Sequence, residues 1–140
     1  MIAYFDTSAI VPLLIAEGGS ERAASLWDRS DRVASVRPFY PETRAALAQA
    51  QRLGRLTTRN LRNAVDQLDA LVAEMDIVEV DDALARRAGE LSETYRLRGY
   101  DAVHLAAVER LLDPSVVLVA GDSALLEAGR AAGLAIAGLP

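Results

Sequence analysis

The stretch "LRGYDAVHLAAVERLL", from Leu97 to Leu112, places a carboxylate at the head of an apolar helical face. Its apolar residues recur at the i, i+4 and i+7 spacing, which predicts an α-helix from about Asp101 with one side towards the core. Leu105, Val108 and Leu112 continue the side that Asp101 begins. Because a charged group beside a core needs a partner, this segment links the fold to a possible function.

Around this segment, predicted strands and helices alternate along the chain. The β-prone apolar runs are Ile2–Phe5, Arg32–Val36, Asp76–Val80, Ser115–Ala120 and Leu134–Gly138. One or two helical patterns separate each run from the next. The alternation predicts an α/β fold, a three-layer α/β/α sandwich with a mainly parallel central sheet. The length of 140 residues is typical of one domain, so residues 1–140 are expected to form a single domain.

Capping residues predict where several helices begin and end. Ser20 is expected to be the N-cap of the second helix, and Pro41 the first residue of the next helix, which ends before Gly54. Asp122 is expected to cap the last helix, which Gly133 ends.

Composition excludes several classes of site. The chain has no cysteine, so disulfides, thiolate zinc sites and thiol nucleophiles are all excluded. It carries 20 acidic and 15 basic residues, a formal net charge of −5, and every basic residue is arginine. A general basic footprint for nucleic acid is therefore missing, and the local arginine clusters are either solvated helix faces or phosphate contacts. The clusters are Arg52, Arg55, Arg59 and Arg62, and Arg86, Arg87, Arg96 and Arg98.

The N-terminal sequence predicts neither export nor membrane insertion. It has no basic region before its apolar residues, and Asp6 comes early. No apolar run reaches the roughly 18 uncharged residues that a membrane span needs. We expect a cytoplasmic protein with no membrane contact.

Four carboxylates follow strands or begin helices, where parallel α/β sheets gather their functional residues. Asp6 directly follows the first predicted strand and Asp122 follows the fourth, whereas Glu42 and Asp101 open helices. Each has a purely structural alternative. Asp6 and Asp122 could be helix N-caps, and Glu42 and Asp101 could complement helix dipoles.

Their joint placement is harder to explain structurally. Carboxylates that converge on one edge repel each other and raise each other's pKa values unless a cation is present. Mg²⁺ and Mn²⁺ suit shells of carboxylates and water. Such an ion polarises a phosphoryl oxygen and lowers the pKa of a water that can then attack a phosphodiester. A bound ion would also keep Asp101 ionised.

Three neighbouring side chains could assist this chemistry. His104, the only histidine, lies one turn after Asp101 and could be a base, a ligand, a substrate contact or a locally satisfied helix residue. Thr7 and Ser8 could hydrogen-bond a carboxylate or a metal-bound water, or could cap the first helix.

At these residues the sequence resembles the PIN-domain family, and within it the VapC-type toxins of bacterial toxin–antitoxin pairs. The resemblance covers nearly the whole chain in order and spacing. The matching segments are "MIAYFDTSAIVPLL", "YPETRAAL", "RLRGYDAVHLAAV" and "VVLVAGDSALLEAGRAAGL". One position departs from the pattern, because many relatives carry Thr or Ser where this chain has Ala120. A hydroxyl that could orient Asp122 or the substrate is absent there.

The resemblance implies an activity, a cofactor and partners. The expected protein is a Mg²⁺- or Mn²⁺-dependent ribonuclease toxin that forms a homodimer and is blocked by a small VapB-like antitoxin. The positions of the family's acidic cluster are taken by Asp6, Glu42, Asp101 and Asp122. These four are the expected catalytic residues. Asp6, Asp101 and Asp122 are the expected metal ligands, and Thr7, Ser8 and His104 the expected supporting or substrate-contacting residues.

Other functions remain as alternatives. A phospho-acceptor receiver domain would need a lysine near the last strands, and the chain has none. A haloacid-dehalogenase-type phosphatase would need a second aspartate at position 8, where Ser8 stands. The stronger alternative is a catalytically silent PIN-like module that binds RNA or a protein.

The helix pair within Pro41–Met75 carries a mixed apolar and basic face. It could accept an amphipathic antitoxin segment and guide RNA phosphates, or it could serve only internal packing. The side chains concerned are Leu53, Leu56, Leu61 and Leu68, with Arg52, Arg55 and Arg59.

Overall fold

Five parallel strands form the centre of the structure, a computed structural model that describes residues 1–140. The strands are β1 (Ile2–Phe5), β2 (Arg32–Val36), β3 (Asp76–Val78), β4 (Val116–Ala120) and β5 (Ala135–Gly138). The helices are α1 (Thr7–Leu14), α2 (Ser20–Arg29), α3 (Phe39–Arg52), α4 (Thr58–Glu74), α5 (Asp82–Tyr95), α6 (Gly99–Arg110) and α7 (Ser123–Ala131). None of these helices combines the length and the hydropathy that a bilayer crossing requires.

Alternate residues of β1 point into two separate cores. Tyr4 packs with residues of α5, α6 and α7 on one face of the sheet. Ala3 and Phe5 pack with residues of α1, α2, α3 and α4 on the other face. Both faces are therefore covered by helices, as an all-parallel sheet requires. The predicted three-layer α/β/α sandwich is confirmed.

The strand order β3-β2-β1-β4-β5 creates a crevice at the carboxyl end of β1. The chain leaves β1 towards β2 on one side, whereas β4 pairs with β1 on the other. Such a reversal of strand order is where open α/β sheets bind their ligands. Phe5 pairs with Val119, so the residues after β1 and β4 come out side by side.

Helix α6 is buried on nearly every side, and the predicted apolar stripe is only partly right. Leu105 and Val108 are buried as expected. Leu112 was expected to continue the stripe, but it lies beyond the end of the helix and is 88% exposed. The reason is a turn before β4 in which Leu112 itself has a left-handed φ of 51°. Helix α6 itself packs against both α5 and the sheet, so buried residues extend around most of its circumference.

Two of the predicted helix starts are wrong. The N-cap of α2 is Gly19, while the hydroxyl of Ser20 accepts from the amide of Glu17 and donates to the carbonyl of Ile15, tying down the preceding loop. Helix α3 starts at Phe39, so Pro41 lies within its first turn. Proline is tolerated there because first-turn amides lack a partner within the helix.

The predicted helix ends are confirmed. Gly54 and Gly133 follow α3 and α7 with φ angles of 78° and 85°, the left-handed conformation that glycine adopts without strain. Asp122 caps α7 through a hydrogen bond from the amide of Leu125.

Candidate active site

All four predicted acids line one open pocket of about 360 Å³ beyond β1 and β4. The predicted supporting residues Thr7, Ser8 and His104 line the same pocket. The structure therefore gathers side chains that are far apart in the sequence. The full lining is Asp6, Thr7, Ser8, Val11, Glu17, Glu42, Ala46, Arg98, Asp101, His104 and Asp122.

Asp6 is buried at the floor of this crevice. Its backbone occupies the N-cap position of α1, but its side chain makes no capping hydrogen bond, so helix capping does not explain the carboxylate. Instead Oδ1 accepts a short hydrogen bond of 2.6 Å from Ser8 Oγ. Burial raises the pKa of Asp6 from 3.8 to about 6, although nearby His104 and the Ser8 bond oppose this shift. The carboxylate lacks a strong counter-charge.

Ser8 joins the two loops that carry Asp6 and Asp122. While its hydroxyl donates to Asp6, it accepts from the amide of Gly121 at 2.8 Å. The serine thus fixes the backbone next to Asp122, in a chain where Ala120 is fully buried and offers no hydroxyl. Ser8 therefore hydrogen-bonds a carboxylate, as one of the two sequence alternatives predicted, instead of capping the first helix.

Asp122 has a structural and an electrostatic contact at once. Its Oδ1 accepts from the amide of Leu125 at 3.0 Å, which caps α7. Its Oδ2 accepts from Arg98 Nη2 at 3.3 Å. The N-cap alternative is therefore correct for one oxygen, and the other oxygen remains directed towards the pocket's only arginine.

Arg98 is the charge partner of Asp101. The Oδ2 atom of Asp101 accepts from Arg98 Nε at 3.2 Å, and the carboxylate side chain is only 10% exposed. Arg98, the N-cap residue of α6, is 79% exposed and bonds both Asp101 and Asp122. The sequence offered two interpretations of Arg98, a solvated helix face or a phosphate contact, and neither predicted this bridge. Its i,i+3 spacing from Asp101 was the available signal, because residues three apart neighbour each other on a helix.

Glu42 is held from two sides in the first turn of α3. Its Oε1 accepts from the hydroxyl of Thr7 at 3.1 Å. The Nε2 atom of His104 lies 3.4 Å from the same oxygen. Thr7 is therefore a partner of the acidic cluster, as one of the sequence alternatives proposed.

His104 connects the cluster to the core. It is 2% exposed, and its Nδ1 lies 2.8 Å from the hydroxyl of Tyr4. A carboxylate can only accept, so a hydrogen on Nε2 suits Glu42 and leaves Nδ1 to accept from Tyr4. Burial raises the pKa of Tyr4, which keeps its hydroxyl protonated for this role. Tyr4 gave no signal in the sequence, where it is one apolar residue of a strand.

The donor set suits a hard cation, although the ligands are not gathered around one point. Nowhere do three or more His, Asp or Glu side chains stand in an arrangement that would hold a metal ion. The pocket nevertheless presents five carboxylates and two hydroxyls, the oxygen ligands that Mg²⁺ and Mn²⁺ prefer. Asp6, Asp101 and Asp122 are the side chains that could hold such an ion. Asp101 and Asp122 already contact one guanidinium, that of Arg98, through its Nε and Nη2 atoms respectively.

A larger hollow of about 600 Å³ lies elsewhere, between the ends of β2 and β3 and helices α3 and α4. Its acids are engaged, because Glu79 pairs with Arg37 and Asp69 accepts from the hydroxyl of Tyr40. It lacks a convergent set of titratable groups. The chemistry of the molecule therefore concentrates in the smaller acidic pocket.

Comparison with known proteins agrees with this fold. The model of the PIN domain family matches residues 3–130. Two proteins from two strains of Mycobacterium tuberculosis, ribonuclease VapC45 and ribonuclease VapC49, are each 41% identical over 136 residues. The match covers 97% of this chain and 94% of each relative.

Solved structures share the fold at lower identity. The M. tuberculosis toxin VapC20, described as cleaving the sarcin-ricin loop, gives a TM-score of 0.69 at 20% identity, over 94% of this chain and 95% of that one. VapBC-5 from M. tuberculosis, described as a member of the VapBC family of toxin–antitoxin systems, gives a TM-score of 0.60 at 22% identity, over 99% and 98%. With the family model spanning most of its length and VapC relatives at 41% identity, this chain belongs to the PIN domain family, among its VapC-type members.

Proposed function

We propose that residues 1–140 act as a single PIN-like ribonuclease domain, the toxin of a toxin–antitoxin pair that hydrolyses RNA phosphodiester bonds in the cytoplasm. The observation that carries this proposal is the shared pocket of Asp6, Glu42, Asp101 and Asp122. The 41% identity to two proteins named as ribonucleases supports it.

The proposed cofactor is Mg²⁺ or Mn²⁺, held by Asp6, Asp101 and Asp122. When bound, the ion supplies Lewis-acid stabilisation of the phosphoryl oxygen and a water of lowered pKa. Two features of the pocket support this assignment. Asp6 is a buried carboxylate with a raised pKa, and a divalent cation would stabilise its ionised form. Asp101 and Asp122 already accept hydrogen bonds from one shared cationic side chain.

The chain's own residues orient the reaction. Ser8 fixes Asp6 relative to the backbone before Asp122. Thr7 and His104 both face Oε1 of Glu42, and no hydrogen bond in the structure engages Oε2. Glu42 is therefore suited to take a proton from the attacking water through Oε2 while its orientation is held through Oε1. The chain offers no cysteine as a nucleophile, and its only histidine is buried.

We also propose a VapB-like antitoxin and a homodimeric assembly. Solved neighbours described as toxin–antitoxin systems support the antitoxin. Helix α4 and the turn between α3 and α4 offer part of the predicted docking face, since Leu53 is 69% exposed and Leu56 and Leu61 are half-buried. Leu68 is fully buried, so for that residue the internal-packing alternative is correct.

Size-exclusion chromatography with light scattering tests the dimer, and hydrogen exchange with the antitoxin tests the footprint.

The decisive test is cleavage of a mixed RNA pool by the purified, antitoxin-free protein. We expect cleavage with Mg²⁺ or Mn²⁺ and none with EDTA, and the cut ends would identify the substrate. Asp6→Asn serves as the matched inactive control. A folded protein that binds RNA but never cuts it, with any divalent ion, would instead be the catalytically silent binding module.

A further inference from the structure

Arg98 is the one permanently charged cation in an acidic pocket. The lining contains five carboxylates, of Asp6, Glu17, Glu42, Asp101 and Asp122, and a single arginine. That arginine hydrogen-bonds two of the carboxylates, which lie on different helices. It thereby bridges the first turn of α6 and the N-cap of α7.

The bridge holds together two groups that repel each other. Without a cation, Asp101 and Asp122 would face one another as like charges in a poorly solvated crevice, with side chains 10% and 25% exposed. The Arg98 fork offers donors in two directions, so one guanidinium satisfies both carboxylates. In the absence of a metal, Arg98 therefore keeps these two acids near each other.

The same bridge is weak enough to be broken. The Arg98 side chain is 79% exposed, and its bonds of 3.2 and 3.3 Å are at the long end of the range for charged donors. Ion pairs to a solvent-exposed cation contribute little free energy, because water competes for the guanidinium. A compact ion with two charges would compete well for the same Oδ2 atoms.

We propose that Arg98 is a positioning residue that pre-assembles Asp101 and Asp122 and must release them when the divalent ion binds. This inference rests on the proposed metal-dependent function. Arg98 competes with the metal ion for the carboxylate oxygens of Asp101 and Asp122, so it raises the metal concentration at which the site is half-occupied. Its removal tightens metal binding and, at the same time, loosens the metal-free pocket.

The test compares Arg98→Gln with the wild-type chain by Mn²⁺ titration, with free Mn²⁺ read by electron paramagnetic resonance. We expect the variant to bind Mn²⁺ about five- to tenfold more tightly, the fold-change that corresponds to losing two ion pairs to an exposed arginine. The metal-free variant should also melt at a lower temperature and gain more from added Mn²⁺. The half-saturating Mg²⁺ concentration for RNA cleavage should fall by a similar factor.

Arg96→Gln is the matched control, because Arg96 is an exposed arginine two positions away that contacts none of the acids. It makes the same charge change and should alter Mn²⁺ affinity by less than about twofold, since exposed charges beyond contact are screened. Arg98→Lys keeps the charge but loses the planar fork, so its Mn²⁺ affinity should lie between those of the wild type and Arg98→Gln.

Three results would overturn the inference, and they separate it from the proposed function. Unchanged or weaker Mn²⁺ binding in Arg98→Gln, with Asp101→Asn still abolishing both binding and cleavage, would reject the role of Arg98 alone. Equally tighter Mn²⁺ binding in Arg96→Gln would show that the effect comes from the change in net charge alone. Failure of the wild-type chain to bind Mn²⁺ or to cut RNA would remove the inference together with the proposed metal-dependent activity.

Discussion

The Nε2 atom of His104 lies 3.4 Å from Oε1 of Glu42, although the two residues belong to helices in different layers of the sandwich. Tyr4 completes this line from the core by pairing with Nδ1 of the same imidazole. The buried Tyr4 hydroxyl is thus linked, through the His104 imidazole, to the Glu42 carboxylate of the candidate site. Such a network is stable only if every member is satisfied.

Tyr4→Phe should therefore weaken both the fold and the site. It leaves Nδ1 of His104 buried without a partner, which costs about 1–3 kcal/mol of the free energy of unfolding. Cleavage of RNA should fall because the imidazole no longer holds Glu42 in place. Urea unfolding and cleavage rates measure the two effects. Tyr95→Phe is the control, since the Tyr95 hydroxyl makes no hydrogen bond in the structure, and an equal loss in that variant would contradict the argument.

Asp6→Asn or Asp101→Asn should abolish RNA cleavage while leaving the fold intact. Either change removes a negative ligand from the proposed metal site at nearly constant volume. We expect a loss of more than about a hundredfold, the scale of several kcal/mol of transition-state stabilisation. Asp66→Asn, on the exposed side of α4, should cleave like the wild type. Circular dichroism shows whether each variant is folded, and unchanged rates in both site variants would refute the assigned roles.

The metal-free protein should lose stability as the pH rises through the range set by Asp6. Its pKa is 3.8 when unfolded and about 6 in the folded state. Between these values the folded state binds more protons, so the free energy of unfolding falls with rising pH, by about 3 kcal/mol in total. Below pH 3.8 the full stabilisation of the folded state by the proton on Asp6 is present, and above pH 6 this stabilisation is lost.

Asp6→Asn should flatten this part of the pH profile, because the amide cannot titrate. Denaturant unfolding in EDTA from pH 4 to pH 8 gives the difference between the two profiles. Mg²⁺ should stabilise the wild type more at pH 7.5 than at pH 5, since the ion needs the ionised carboxylate. Parallel profiles for the two proteins would show that Asp6 is not the titrating group.

Gly129 and Gly89 should respond oppositely to alanine. A Cβ on Gly129 would lie 2.8 Å from Cδ2 of Leu118 in the core, whereas nothing lies within 4 Å of a Cβ on Gly89. Gly89→Ala should therefore stabilise α5 through helix propensity, while Gly129→Ala overpacks the contact between α7 and the sheet. We expect the two variants to differ by about 2 kcal/mol in thermal or urea unfolding. Equal effects would mean that Leu118 relaxes freely.

Local patterns in the sequence predicted much of the fold. The apolar runs and helical periodicities identified all five strands and the order of the elements, because burial of one face imposes a period on the residues. The sequence predictions were wrong where a turn or a preceding loop sets the backbone conformation, as at Leu112 and Ser20. There the backbone conformation depends on the path to the next element, which a period does not encode.

The sequence by itself determined that Asp6 and Asp122 would meet. Asp6 and Asp122 follow parallel strands, and parallel strands end at the same edge, so their convergence follows from chain order and strand position alone. Only the tertiary structure decided their partners. Arg98 reaches Asp122 and Tyr4 reaches His104 because α6 packs between the sheet, α5 and α7. Contacts between residues so far apart depend on the packing of whole layers, and no local spacing records that packing.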